Sequence, residues 1–160
     1  MRTVFVLLLL AAALLATGPS PLVTDSNGFQ ATANETGSAW KVKNIETINT
    51  VRALISDWAD SWQEKDIDRY LSFYSRTFRS GKLDYAGWRD MKVRLFKKTG
   101  SVSLKVSDLS VIIEGNRASA SFIQHYRDAQ YADVGEKTIY LVQDNDKWQI
   151  VSEEWRALSR

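Results

Sequence analysis

Apolar positions change their spacing near the middle of the chain, and the change separates a helical half from a β-patterned half. In IETINTVRALISDWADSWQEKD, Ile45, Ile48, Val51, Arg52, Ile55, Trp58, Ala59 and Trp62 recur at helical steps. This predicts a long amphipathic helix whose aromatic and aliphatic stripe must face a core or a sheet. Asp66 stands where an N-cap would open a second, short helix, on which Tyr70, Tyr74 and Phe78 follow at four-residue intervals. Ser80-Gly81 breaks that run, and Asp84 can cap a third helix that carries Trp88, Met91 and Leu95 and stops at Gly100.

From Ser101 the period shortens to that of a strand. SVSLKVSDLSVIIE alternates polar and apolar residues, Gly115-Asn116 is a turn signal, and RASASFIQHYRDAQYA, EKTIYLVQD and WQIVSEEWRAL read as further strands, with a tight turn over Asp144 to Lys147. Three helices followed by a four-stranded antiparallel meander predict an α+β fold in which helices cover one face of a curved sheet that forms a cone. Alternation on the strands sends Phe122, Gln124, Tyr126 and Asp128 to one face and Ile123, His125 and Arg127 to the other. Lys137, Ile139 and Leu141 form one such set on the next strand. One face thus carries an amide, a phenol and an ammonium in an apolar lining.

The N-terminal stretch has a different character. MRTVFVLLLLAAALLAT opens with one basic residue, continues as an apolar run shorter than the roughly 20 residues a membrane span needs, and ends in small residues. Residues 1–16 are expected to be a signal peptide cleaved after Ala16, which places the mature protein in the periplasm or outside the cell and in contact with the membrane only during export. Residues 17–43, rich in Ser, Thr, Asn and Gly, are expected to form a flexible leader, and the folded domain to cover residues 44–160. Asn34-Glu35-Thr36 fits the N-glycosylation pattern.

Composition then removes whole classes of chemistry. The 160 residues are 44% hydrophobic and 25% charged, with a net charge of +2 and no dense basic block beyond Lys97-Lys98, so a nucleic-acid partner is not expected. Without cysteine, thiol catalysis, disulfides and cysteine zinc sites are excluded, and roughly 110 to 120 ordered residues must be held by the core alone. A single histidine excludes a multi-histidine metal centre, and no Asp/Asn-rich loop suits a hard cation. No metal or cofactor is expected.

The order of elements, with WADSWQEKDIDRYLSFYS early and DKWQIVSEEW at the end, resembles the nuclear transport factor 2-like (NTF2-like), or SnoaL-like, superfamily. More narrowly, Phe122, Gln124, Tyr126, Tyr131, Asp133, Gly135 and Lys137, followed by Trp148, Ile150, Glu153 and Trp155, are similar to the accessory domain of some bacterial L,D-transpeptidase-fold murein-modifying proteins. The resemblance covers residues 45–157. There is no cysteine to serve as that enzyme's nucleophile, so it implies an accessory role in the cell envelope and not the transpeptidase reaction. It also implies that ligands sit on the concave face, with Trp58, Trp62, Tyr70 and Tyr74 as the helical residues at that cavity, and that homodimers form through the opposite sheet face, where Ile123 points.

Two fates are open to the polar set. Gln124, Tyr126, Lys137 and Glu153 either line a ligand site or form a structural network, with Lys137 paired to Glu153 and Gln124 satisfying Tyr126. Superfamily enzymes resemble one another in placing an Asp or His base inside the cone. Here Asp84 is expected to cap a helix, His125 to face away, Asp128 to sit at a strand end beside Tyr126, and Glu153 to be ion-paired, so no catalytic residue is assigned. Two functions are therefore carried forward. The first is a non-catalytic envelope module that binds a small molecule, a cell-wall fragment or an envelope protein. The second is a small-molecule isomerase, dehydratase or cyclase.

Overall fold

A computed structural model describes residues 33–158 of the protein. The expected signal peptide and most of the expected leader lie outside these residues. Three helices, α1 (Ala33–Gln63), α2 (Ile67–Ser72) and α3 (Tyr85–Lys98), are combined with six strands, β1 (Tyr74–Ser80), β2 (Leu83–Asp84), β3 (Ser103–Glu114), β4 (Arg117–Arg127), β5 (Ala132–Asp144) and β6 (Lys147–Ala157). The sheet order is β2-β1-β6-β5-β4-β3, antiparallel except where β1 runs parallel to β6.

The α+β class holds, with helices packed against one sheet, but the expected four strands are six. The difference lies at Tyr74 and Phe78, which belong to strand β1 rather than to the second helix. A four-residue interval is a multiple of the strand period as well as close to a helical turn, so spacing alone does not separate the two. The backbone decides: Phe73 ends α2, and its carbonyl accepts the Ile150 N–H of β6 at 2.8 Å. Both rings are buried, 3% and 1% exposed.

Two other expectations shift. Helix α1 starts at Ala33, ahead of Asn44, and its early turns expose Val42 and Ile45 to solvent. Helical periodicity marks only the part of a helix that packs on something, and Val42 and Ile45 are not covered by any of the described residues. On α3 the buried positions are Trp88, Lys92 and Phe96, while Met91 is exposed. The stripe is turned by one residue from the one read off the apolar residues because a lysine occupies its centre.

The local signals hold where they were strongest. Asp66 accepts the Arg69 N–H at 3.0 Å and Asp84 the Gly87 N–H at 2.9 Å, each satisfying one of the orphan donors of a first turn. Gly115, Asn145 and Asp146 take the positive φ values that tight hairpins need. Strand β3 is a sheet edge, and α1 covers it with side chains: Arg52 donates to the Leu109 carbonyl at 3.1 Å, and Gln63 accepts the Leu104 N–H at 3.1 Å. The core fills the space between the helices and the concave face, with Trp58, Trp88, Tyr70, Phe78 and Phe122 its largest fully buried side chains.

Candidate functional site

The concave face is built by register. Gln124 lies opposite Gly135, Phe122 opposite Lys137, Lys137 opposite Trp155 and Ile139 opposite Glu153, so Gln124, Lys137, Glu153 and Trp155 share one side of three adjacent strands. Helices α1, α2 and α3 and strand β1 close this side with rings. Trp58 and Trp62 meet edge to face at 5.7 Å, Trp62 and Tyr70 at 5.5 Å, and Tyr70 and Tyr74 lie 5.2 Å apart. All eight candidate residues are therefore brought to one interior, although Tyr74 arrives on β1 and not on a helix.

The interior is wired by polar contacts. Lys137 Nζ and Glu153 Oε2 are 2.8 Å apart, with side chains 7% and 9% exposed. This diagonal pair fits the expected link between β5 and β6. Trp58 Nε1 donates to the Tyr74 hydroxyl at 2.9 Å, which donates to the Tyr70 hydroxyl at 2.8 Å and lies 3.5 Å from Glu153 Oε2. Tyr74 has one proton for two acceptors, and the shorter contact goes to Tyr70.

The expected pairing of Gln124 with Tyr126 does not form. The Tyr126 hydroxyl donates to Asp128 Oδ2 at 2.9 Å, while Gln124 Oε1 is buried with no partner. The turn after β4 explains this. Asp128 Oδ1 accepts the N–H groups of Gln130 and Tyr131, which fixes its other oxygen within reach of Tyr126. The Gln130 amide and the Tyr126 hydroxyl hold the Asp128 carboxyl below its usual range. Burial, helped by the Asp128 carboxylate, pushes the Tyr126 phenol up to about 12.

Lys92 on α3 is the residue that sequence reasoning missed. It is 8% exposed, and its ammonium stands 4.3 Å over the Trp62 ring. Burial lowers it to about 8, against an opposing pull from Glu153 and with a further push from the Lys137 charge. Burial by itself would raise the Glu153 carboxyl, but the ammonium groups of Lys137 and Lys92 outweigh it and hold the group below its usual range. Burial and the Glu153 charge raise the Tyr70 and Tyr74 phenols well above theirs. The four-residue spacing Trp88, Lys92, Phe96 was the available signal, and an isolated lysine on a helix is ordinarily read as solvated.

At the open end of the cone, Gly135 makes room for the Trp155 ring. A Cβ at Gly135 would stand 2.5 Å from that ring and 2.6 Å from the Arg156 carbonyl oxygen. Trp155 is 40% exposed, and Tyr131, also exposed, donates to Asp133 Oδ2 at 2.9 Å. Asp133 Oδ1 is buried and unpartnered. A groove of about 1120 Å³ at this end of β3, β4 and β5 lies largely on the opposite sheet face, lined by Lys105, His125, Arg127 and Val134, and reaches Tyr131 and Asp133 at the edge. His125 lies on the far face and is exposed, as expected. Among the described residues no cluster of His, Asp and Glu could hold a metal ion, and no helix is long and apolar enough to cross a membrane.

Helices closing the concave side of one mixed sheet, over a polar group set in aromatic walls, define an NTF2-like domain. Within that class the chain belongs to the Cds6 C-terminal NTF2-like domain family, whose profile matches residues 50–154. It is similar to Bd1075 of Bdellovibrio bacteriovorus, with 25% identity and a TM-score of 0.67 over 70% of this chain and 41% of that one. It is similar also to a mutant form of the helical cell shape determining protein Pgp2 of Campylobacter jejuni, with 25% identity and a TM-score of 0.62 over 67% of this chain and 40% of that one. The chain thus spans about two fifths of the length of these two proteins. A putative dehydratase of the NTF2-like family from Streptomyces avermitilis shares the fold, with a TM-score of 0.65 at 9% identity over 73% of this chain and 99% of that one. No curated protein matches the chain in sequence.

Proposed function

We propose that the protein is a non-catalytic module of the bacterial cell envelope that binds murein, or a protein that modifies murein, at the rim and interior of the cone. The observation that carries this reading is the unpartnered Gln124 amide oxygen on the same concave face as the Lys137–Glu153 pair and the half-exposed Trp155 ring, in a domain similar to part of a cell-shape determinant. Aromatic faces with adjacent amide and charged groups are the recognition chemistry for amphipathic, partly polar ligands. The expected signal peptide agrees with an envelope location, periplasmic or secreted.

The test is co-sedimentation of the protein with purified murein sacculi, with Gln124→Ala and Lys137→Met variants of checked stability alongside. Pelleting that the variants lose supports the reading. If the protein neither pellets with sacculi nor binds a murein-modifying enzyme, the reading is wrong.

A second reading, a small-molecule isomerase, dehydratase or cyclase, draws on Glu153 lying inside the cone beside two phenols, and the dehydratase relative fits it no less well than Pgp2 fits the first. Its weakness is chemical. A carboxylate held ionised by two ammonium groups is a poor base near neutral pH. Turnover of a ketone or alcohol substrate that Glu153→Gln abolishes would establish this reading instead.

A further inference from the structure

The sheet face opposite the cone carries a group of basic side chains without counter-ions. Lys105 on β3 lies directly across from His125 on β4, and Arg127, two residues further along β4, lies across from Ser103, so the three share one end of this face. All three are exposed, and none has a carboxylate within ion-pair distance among the described residues. The neighbouring carboxylates are engaged elsewhere: Glu136 accepts from Arg156, Asp128 from Tyr126 and Asp133 from Tyr131. Lys105 and Arg127 stand on the diagonal of adjacent strands, where side chains are about 7–8 Å apart and like charges repel. An anion set between them relieves that repulsion.

These residues form one side of the groove of about 1120 Å³. Its other side comes from β5 and the end of β6, where Val134 and Leu158 are 39% and 43% exposed and the Leu158 N–H donates to the Val134 carbonyl at 3.1 Å. The groove is thus cationic on one side and apolar on the other. His125 and Arg127 are spaced along β4 by about 6.7 Å, which is also the repeat of alternate side chains in an extended peptide. A peptide lying along the groove would send one set of side chains to each side. A bilayer is too flat to enter a groove, and a phosphate polymer offers nothing to Val134 and Leu158. An isologous contact with a second copy, centred here, would set these basic groups against themselves.

We propose that this groove is a docking surface for an extended acidic segment of a protein partner, whose carboxylates meet Lys105, His125 and Arg127 and whose alternate, apolar side chains meet Val134 and Leu158. The surface lies across the sheet from the Lys137–Glu153 pair and Gln124, so a partner held here leaves the cone open. The proposal does not depend on what the cone binds.

The test is an NMR titration of the purified protein with an acetylated, amidated hexapeptide of alternating Glu and Val and with its Gln-for-Glu counterpart, repeated on the double variant Lys105→Gln, Arg127→Gln. Polyphosphate and phosphatidylglycerol vesicles serve as the other anions. The expected result is that the Glu peptide shifts the amides of β3, β4 and β5 at this end of the sheet and binds about tenfold tighter than the Gln peptide, as a few exposed charge contacts together allow. The double variant, with both changes on exposed side chains and an unaltered thermal midpoint, should lose that preference and still pellet with sacculi. Equal binding of the two peptides, no binding of either, or a preference that survives in the double variant overturns the proposal. So does tighter binding of polyphosphate or vesicles than of the Glu peptide, or self-association of the protein that the double variant abolishes. Loss of sacculus pelleting in the double variant overturns it too, because murein would then be held on this face and not in the cone.

Discussion

Replacing Glu153 by Gln should destabilise the protein more than replacing its partner Lys137 by Met, although the two share one ion pair. The pair is almost fully withdrawn from solvent, 7% and 9% exposed, so water screens it little, and breaking such a pair by removing one member costs about 3–5 kcal/mol. Glu153→Gln strands Lys137 at 2.8 Å from a neutral amide and also removes the charge that offsets the burial of Lys92. The loss should fall in the upper part of that range, about 4–5 kcal/mol. Lys137→Met removes one of two ammonium groups, leaves Lys92 to balance Glu153, and fills a similar volume, so a loss of about 1–3 kcal/mol is expected, as for an unsatisfied buried partner. Urea unfolding measures both, as midpoints compared at a constant slope. Adding Lys92→Met to Glu153→Gln should restore part of the loss. A Lys137→Met loss equal to or larger than that of Glu153→Gln would refute the reasoning, because it would mean that Lys92 does not act as a counter-charge to Glu153.

Other outcomes follow from the same geometry. Lys92 titrates at about 8 in the folded chain against about 10.4 unfolded, so between these values the unfolded chain holds a proton that the folded chain has released, and stability rises with pH. The gain between pH 8 and 10 should be about 2–3 kcal/mol, and it should vanish in Lys92→Met. Above about pH 10 the trend should reverse, because unfolded tyrosines lose protons that buried Tyr70 and Tyr74 retain. Gly135→Val should cost about 1–3 kcal/mol of overpacking and disturb the ordered environment of Trp155, seen in its fluorescence, since the Arg156 carbonyl 2.6 Å from the new Cβ is backbone and cannot swing aside. Asp84→Ala should lower stability by about 1 kcal/mol through loss of the Gly87 cap, with no effect on binding.

Elements whose causes are local are legible in the amino-acid order alone. The caps Asp66 and Asp84, the turns at Gly115 and Asn145, and the alternation that sends Gln124 inward and His125 outward each depend on a few consecutive residues, and each is found as read. Gln124, Tyr126 and Lys137 share the concave side as strand alternation assigns them, whereas Trp58, Trp62 and Tyr70 were expected there only from the resemblance, and Glu153 only as the partner of Lys137. What the sequence could not decide was set by partners distant in the chain. Tyr74 and Phe78 become a strand only because β6 lies alongside to take the backbone hydrogen bonds. Tyr126 turns to Asp128 and away from Gln124 because the turn after β4 fixes the carboxylate first. Lys92 is drawn inside because the rings of Trp62, Tyr70 and Trp88 close around its ammonium, and that enclosure exists only once α1, α2 and α3 have packed on the sheet. The amino-acid order determined most of the elements and the faces they present, and tertiary packing decided which polar groups on those faces found partners, since a partner's distance is a property of the folded chain alone.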